Sequence, residues 1–136
     1  MVPKFRGKRK DNGEWIVGVP VPNSFCSVVH MIPILLTDKV AYPPERLHEY
    51  LIEIDPETLG QSTGLKDKNG VEIFEGDVVE WLEHRGVVEF VLNNQQTMII
   101  GASGYITDLD YSTDFNTEVI GNIHENPKIL GQANES

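Results

Sequence analysis

A single cysteine, Cys26, occurs in the 136 residues. That count excludes an intramolecular disulfide, and a lone free thiol suits a reducing compartment, so a cytoplasmic location is expected. Long apolar runs are missing too. The longest, Met31 to Leu36, holds six residues and includes Pro33, against roughly 20 for a membrane-spanning helix. The basic N-terminus is not followed by the apolar segment of a signal peptide, and no membrane association is expected. Asn134-Glu135-Ser136 matches a glycosylation sequon, which without a leader reads as chance.

Basic charge is scarce beyond the first ten residues. Lys4, Arg6, Lys8, Arg9 and Lys10 lie there with no acid, while the other 126 residues carry 6 basic and 21 acidic groups, −15, within a formal net charge of −10. Such a body repels phosphate backbones, whose affinity comes largely from Lys and Arg displacing counterions, so no nucleic-acid partner is expected. The basic decapeptide reads as a solvated strand face rather than a nucleic-acid arm.

Catalytic and cofactor motifs are equally absent: there is no P-loop, dinucleotide fingerprint or G-x-S-x-G elbow. His30, His48, His84 and His124 show none of the spacings of a zinc site. Cys26 reads as a small buried hydrophobe rather than the partner of His30 in a thiol nucleophile. Gly101-Ala-Ser-Gly104 has the outline of a nucleic-acid-clamping loop but lacks flanking cations, and is read as a turn. No catalytic residue, metal ligand or cofactor is expected.

What the chain does hold is turn chemistry, with 12 glycines and 8 prolines. Asn69-Gly70 between Leu65 and Val71/Ile73 signals a primed hairpin turn, and Asp11-Asn12-Gly13 does the same between Lys4–Lys8 and Glu14–Val19. Glu75-Gly76-Asp77, His84-Arg85-Gly86, Asn93-Asn94 and Gly101–Gly104 are read as further reversals, separating β-branched and aromatic runs at 78–82, 87–91 and 97–100. Asp55-Pro56-Glu57-Thr58 reads as a turn after a strand at 50–54, and Pro44–Tyr50 as the start of a short helix. Five prolines between 20 and 44 confine any strand there to a short or edge position. The spacing predicts an all-β protein: an N-terminal β-hairpin region with a Pro-rich connector (1–57), a small β-barrel or SH3-like meander (58–130) and a flexible tail (131–136).

Three phrases together, Lys4-Phe-Arg-Gly-Lys8 with Asn12-Gly-Glu-Trp15, Gln61-Ser-Thr-Gly-Leu-Lys-Asp-Lys-Asn-Gly70 through Ile73-Phe-Glu-Gly-Asp-Val78, and Glu118-Val-Ile-Gly-Asn-Ile-His-Glu-Asn-Pro127, resemble the YopX family of phage and prophage proteins. The resemblance spans about residues 4 to 130, with 20 to 50 unanchored. It implies a small, mostly β protein of phage or prophage origin and carries no established activity, hence no catalytic residues.

Within these phrases Arg6, Trp15, Lys66, Asp67 and Asp77 are the candidate binding residues. Trp15 and Trp81 are expected as core anchors, with Arg6 stacked on Trp15 or paired with an acid. Asp67, Asn69, Glu72, Glu75 and Asp77 invite a Ca²⁺ site, but Gly70 falls at the fourth position rather than the sixth, so the acids are read as serving backbone amides. The leading expectation is a non-enzymatic accessory protein acting through a protein partner or as a homo-oligomer. Two alternatives compete with it: an acidic mimic of DNA aimed at a nucleic-acid-binding protein, and a metal-dependent enzyme built on the 67–77 carboxylates.

Overall fold

The computed structural model describes residues 4–22, 29–33, 51–91 and 96–125. The expected helix at 44–50, the Asn93-Asn94 turn, Cys26 and the 131–136 tail lie outside these residues. Ten strands account for most of the rest: β1 (Phe5–Arg9), β2 (Trp15–Pro22), β3 (Val29–Pro33), β4 (Ile52–Lys66), β5 (Glu72–Phe74), β6 (Asp77–Trp81), β7 (His84–Val91), β8 (Gln96–Gly101), β9 (Gly104–Asp108) and β10 (Thr117–Asn122). No α-helix occurs among the described residues, and none of their helices is long and apolar enough to cross a membrane. The all-β expectation is borne out.

Two compact units divide the chain, Met1–Gln61 and Ser62–Ser136, with the boundary inside β4. In the first, β1 pairs with β2, β2 with β3, β3 with β4, and β4 returns to β1, all antiparallel, so four strands close a ring. The expected N-terminal hairpin is two of those strands. Gly7 faces the ring's packing: a Cβ there would lie 2.6 Å from Ile54 Cδ1 and 2.9 Å from Met31 Sδ, and both neighbours are fully buried.

The residues 55–58, read as a turn, do not reverse the chain. β1 advances from Arg6 to Lys8 while β4 runs back from Gly60 to Asp55, so the excess residues of β4 bulge out. Local polar chemistry holds that bulge: Thr58 donates its hydroxyl to the Asp55 carbonyl at 2.6 Å, the Glu57 amide donates to Asp55 Oδ1, and the Lys8 amide donates to Thr58 Oγ1 at 2.8 Å. Turn-type residues therefore shape an interruption within a strand rather than its end.

In the second unit β10-β6-β7-β8-β9 form one antiparallel sheet, the predicted meander with β10 added beside β6, while β5 pairs with the end of β4. Its core gathers Leu65, Ile73, Val79, Val88, Ile99 and Leu109, with Trp81, Ile106 and Val119 packed against it. Trp81 thus meets the core as expected, though only partly buried, and its indole N–H is buried without a hydrogen-bond partner.

Two turns differ from their sequence reading. Gly70 takes φ +84 as expected, but Asn69 does not take positive φ. The Gly70 amide donates to the Asp67 carbonyl and the Asp67 amide to the Val71 carbonyl. That is a three-residue loop, a turn of ordinary hand closed by a glycine bulge, in place of the primed two-residue turn. The reversal assigned to His84-Arg85-Gly86 occurs earlier, at Leu82-Glu83, because Trp81 already pairs with His84. Leu82 adopts φ +56, whereas Gly86 lies inside β7, where a Cβ would lie 2.6 Å from Ile99 Cγ2 and 2.9 Å from the Ile100 carbonyl oxygen. Gly86 is there for close packing rather than for a bend.

Candidate interaction surface

Of the five sequence-nominated residues, Arg6 and Trp15 meet. Lys8 lies opposite Trp15 in the β1–β2 register and Arg6 two residues before it on the same face, which puts the Arg6 guanidinium carbon 5.0 Å from the Trp15 ring centroid. The indole is half-buried with the guanidinium over its ring, so the pair links β1 and β2 across one sheet face. Lys66 is exposed at the end of β4, in register with Glu72.

Asp67 is only 6% exposed and works as a fastener. Its Oδ1 accepts the Asn69 and Val71 amides at 2.8 and 2.9 Å, and its Oδ2 accepts the Val119 amide at 2.9 Å from β10, 52 residues away. Burial pushes this carboxyl up, but the three amide bonds and nearby Lys68 outweigh it and hold the group below the usual carboxylate range. The neighbouring Lys68 amide donates to the Thr117 carbonyl. Turn and last strand are therefore tied by adjacent residues.

Asp77 is 1% exposed and accepts the Phe74 amide on its Oδ2 at 2.8 Å, closing the turn that carries Gly76 at φ +93. Glu72 accepts the Ser62 hydroxyl, and Glu75 lies within reach of the Phe90 amide. Each acid of the 67–77 stretch thus answers a separate donor, and among the described residues no three acidic, histidine or cysteine side chains gather as a cation would need.

Sequence reasoning passed over a different stretch. Tyr105, Tyr111 and Phe115 are 60, 84 and 62% exposed, the three most exposed aromatic side chains among the described residues. Tyr105 leaves β9, and the loop after it is pinned by its own polar groups: the Asp114 amide donates to the Asp110 carbonyl, the Thr113 hydroxyl to the Asp108 carbonyl, and the Ser112 amide to Asp110 Oδ1. The Ser112 hydroxyl, which also donates to Asp110 Oδ1, and then the Ser112 amide hold the Asp110 carboxyl below its usual range. The Tyr105 hydroxyl donates to Asp108 Oδ1 at 3.1 Å, which raises the phenol above its usual value. A one-turn 3-10 helix at Asp114–Asn116 then delivers the chain to β10. The signal was in the sequence: between Arg85 and Lys128 no lysine or arginine occurs, and tyrosine, phenylalanine and aspartate interleave from 105 to 115.

Comparison with known proteins matches these features to a family. The crystal structure of protein EF1440 from Enterococcus faecalis is similar, with 28% sequence identity, a TM-score of 0.54, and coverage of 96% of this chain and 99% of that one. No curated protein matches the chain. The family model described as YopX protein matches residues 4–131, a span that takes in the ring, the fastening carboxylates and the aromatic loop. The chain belongs to the YopX family.

Proposed function

We propose that this chain is a non-enzymatic accessory protein of phage or prophage origin, working in the host cytoplasm by contact with another protein. The observation that carries this reading is the exposure of Tyr105 on β9, Tyr111 on the loop after it and Phe115 on the 3-10 helix that follows, a stretch fixed by its own hydrogen bonds. Water-exposed aromatic surface costs free energy when nothing covers it, and aromatics are enriched where proteins meet. The phage origin rests on the family resemblance. The DNA-mimic alternative draws less support, because Glu53, Glu80 and Glu118 lie in ion pairs with Lys10, Arg85 and Lys68, mixing the two charges along the sheets. The metal-enzyme alternative draws less again, since the 67–77 acids serve separate backbone and hydroxyl donors.

The test is affinity capture from cells carrying the encoding phage or prophage, run beside a Tyr111→Ser/Phe115→Ser double variant of unchanged melting temperature. The reading predicts a stoichiometric partner, or a second copy of the chain, retained by the parent and lost by the variant. Identical capture by the two proteins would overturn the aromatic surface as the contact. Heat of binding and a raised melting temperature with Ca²⁺, Mg²⁺, Mn²⁺ or Zn²⁺ would return the enzyme reading.

A further inference from the structure

We propose that the surface formed by β9 and the 105–115 loop docks a cationic, arginine- or lysine-bearing segment of the protein partner; this rests on the contact reading above and names the chemistry of what is contacted. Two independent properties coincide there. The first is apolar: the three exposed rings offer flat faces within eleven residues of chain. The second is electrostatic: Asp108, Asp110 and Asp114 alternate with those rings, and no described ion pair involves any of them. Lys68, whose amide donates to the Thr117 carbonyl just past this stretch, has its side chain set against Glu118 at 3.4 Å. A guanidinium or ammonium group stacked on a tyrosine or phenylalanine face while facing a carboxylate satisfies both properties together, whereas an apolar partner would bury these negative charges with no opposite charge beside them.

Strand addition is the competing way to use a sheet edge, and the backbone disfavours it. β9 pairs with β8 through a register shift between Ile99 and Ile100, which leaves Ile106 as an extra residue on the edge strand. β10, at the opposite edge, carries a similar shift between Val119 and Gly121. Bulges of this kind twist an edge away from a regular ladder and are a common defence against edge-to-edge pairing. Side chains rather than backbone groups are what this edge presents.

The experiment uses the full chain and three labelled peptides of equal length: an arginine–serine repeat, a lysine–serine repeat and a glutamate–serine repeat. Binding is followed by fluorescence anisotropy and located by amide chemical shifts. The arginine peptide should bind, the lysine peptide more weakly and the glutamate peptide not at all, with shift changes concentrated at 104–116. Because any acidic protein attracts cations, two charge-matched double variants decide the matter. Asp108→Asn/Asp114→Asn should weaken arginine-peptide binding about tenfold, equivalent to ~1.4 kcal/mol. Glu57→Gln/Glu83→Gln, exposed acids elsewhere, should change it less than about twofold. Equal losses in the two variants, or shifts spread over the whole acidic surface, would overturn the proposal. A partner captured through Tyr111 and Phe115 whose binding is indifferent to Asp108 and Asp114 would overturn the cationic segment while leaving the contact reading standing. Concentration-dependent self-association through the same loop, unaffected by the peptides, would do likewise.

Discussion

The two units solve the problem of a sheet's edges in opposite ways. In the first, β1 is paired on both sides and the set of described strands returns to its start without a free edge strand among them, and Met31 and Ile54 pack over Gly7 inside. In the second, the sheet stays open between β10 and β9, with a wider core beneath it. Its edges are blunted by bulges and, at β10, by the Asp67 carboxylate accepting the Val119 amide and the Lys68 amide donating to the Thr117 carbonyl. A closed ring offers little to a partner beyond side chains on its outside. An open sheet with guarded edges can devote the strand end and its following loop to recognition, and that is where the exposed aromatics collect.

The largest expected effect tests the wider core. Ile99→Ala should cost about 2–5 kcal/mol in denaturant unfolding, because Ile99 is fully buried in the six-residue cluster and the rigid strands around it leave a cavity. A cost under about 1 kcal/mol would mean this core yields easily. The ring is tested from the other direction: Gly7→Val adds atoms against Ile54 and Met31 and should cost about 1–3 kcal/mol, since a closed set of strands has little room to spread. A neutral result would show that the ring opens more readily than its pairing implies.

Asp67→Asn should cost about 1–3 kcal/mol, because the amide can place its oxygen toward the turn or toward Val119 but leaves a donor facing a donor at the other. It should also alter the pH profile. The folded Asp67 carboxyl titrates below its unfolded value of 3.8, so its contribution is fully present above that pH and is lost as pH falls through the lower folded value. Melting temperature against pH should therefore drop less steeply below about pH 4 for the variant than for the parent. Parallel profiles would remove Asp67 as a stabilising carboxylate.

The smallest effect is a gain. Leu82→Gly relieves a branched side chain at φ +56, worth about 1–2 kcal/mol, against about 0.5–1 kcal/mol lost to a more flexible unfolded chain. Thermal unfolding should show a net stabilisation of about 0–1.5 kcal/mol, and a destabilised variant would mean the exposed leucine packs more than its exposure suggests.

What the sequence disclosed was local chemistry, and what it concealed was long-range. Gly70 and Gly13 announce reversals because glycine at positive φ is a property of the turn itself. Gly86 misled because smallness for packing and freedom for turning look alike in a string of letters, and only the Ile99 and Ile100 atoms beside it separate them. The Leu82-Glu83 turn has no turn-forming residue to betray it. Asp67 was correctly assigned to backbone amides, yet its third partner, Val119, lies beyond any spacing rule. The aromatic loop was missed for a different reason: aromatic residues in a small domain are expected inside, so exposure had to be seen.

The ring also has a temporal implication. Phe5 lies against Gly18 on one side and Gln61 on the other, so the first strand emerges from the ribosome well before its second neighbour exists. Until then β1 keeps one naked flank even after β3 has covered β2, and settling of the N-terminal half must wait on distant pairing, the slow kind of step in β-proteins.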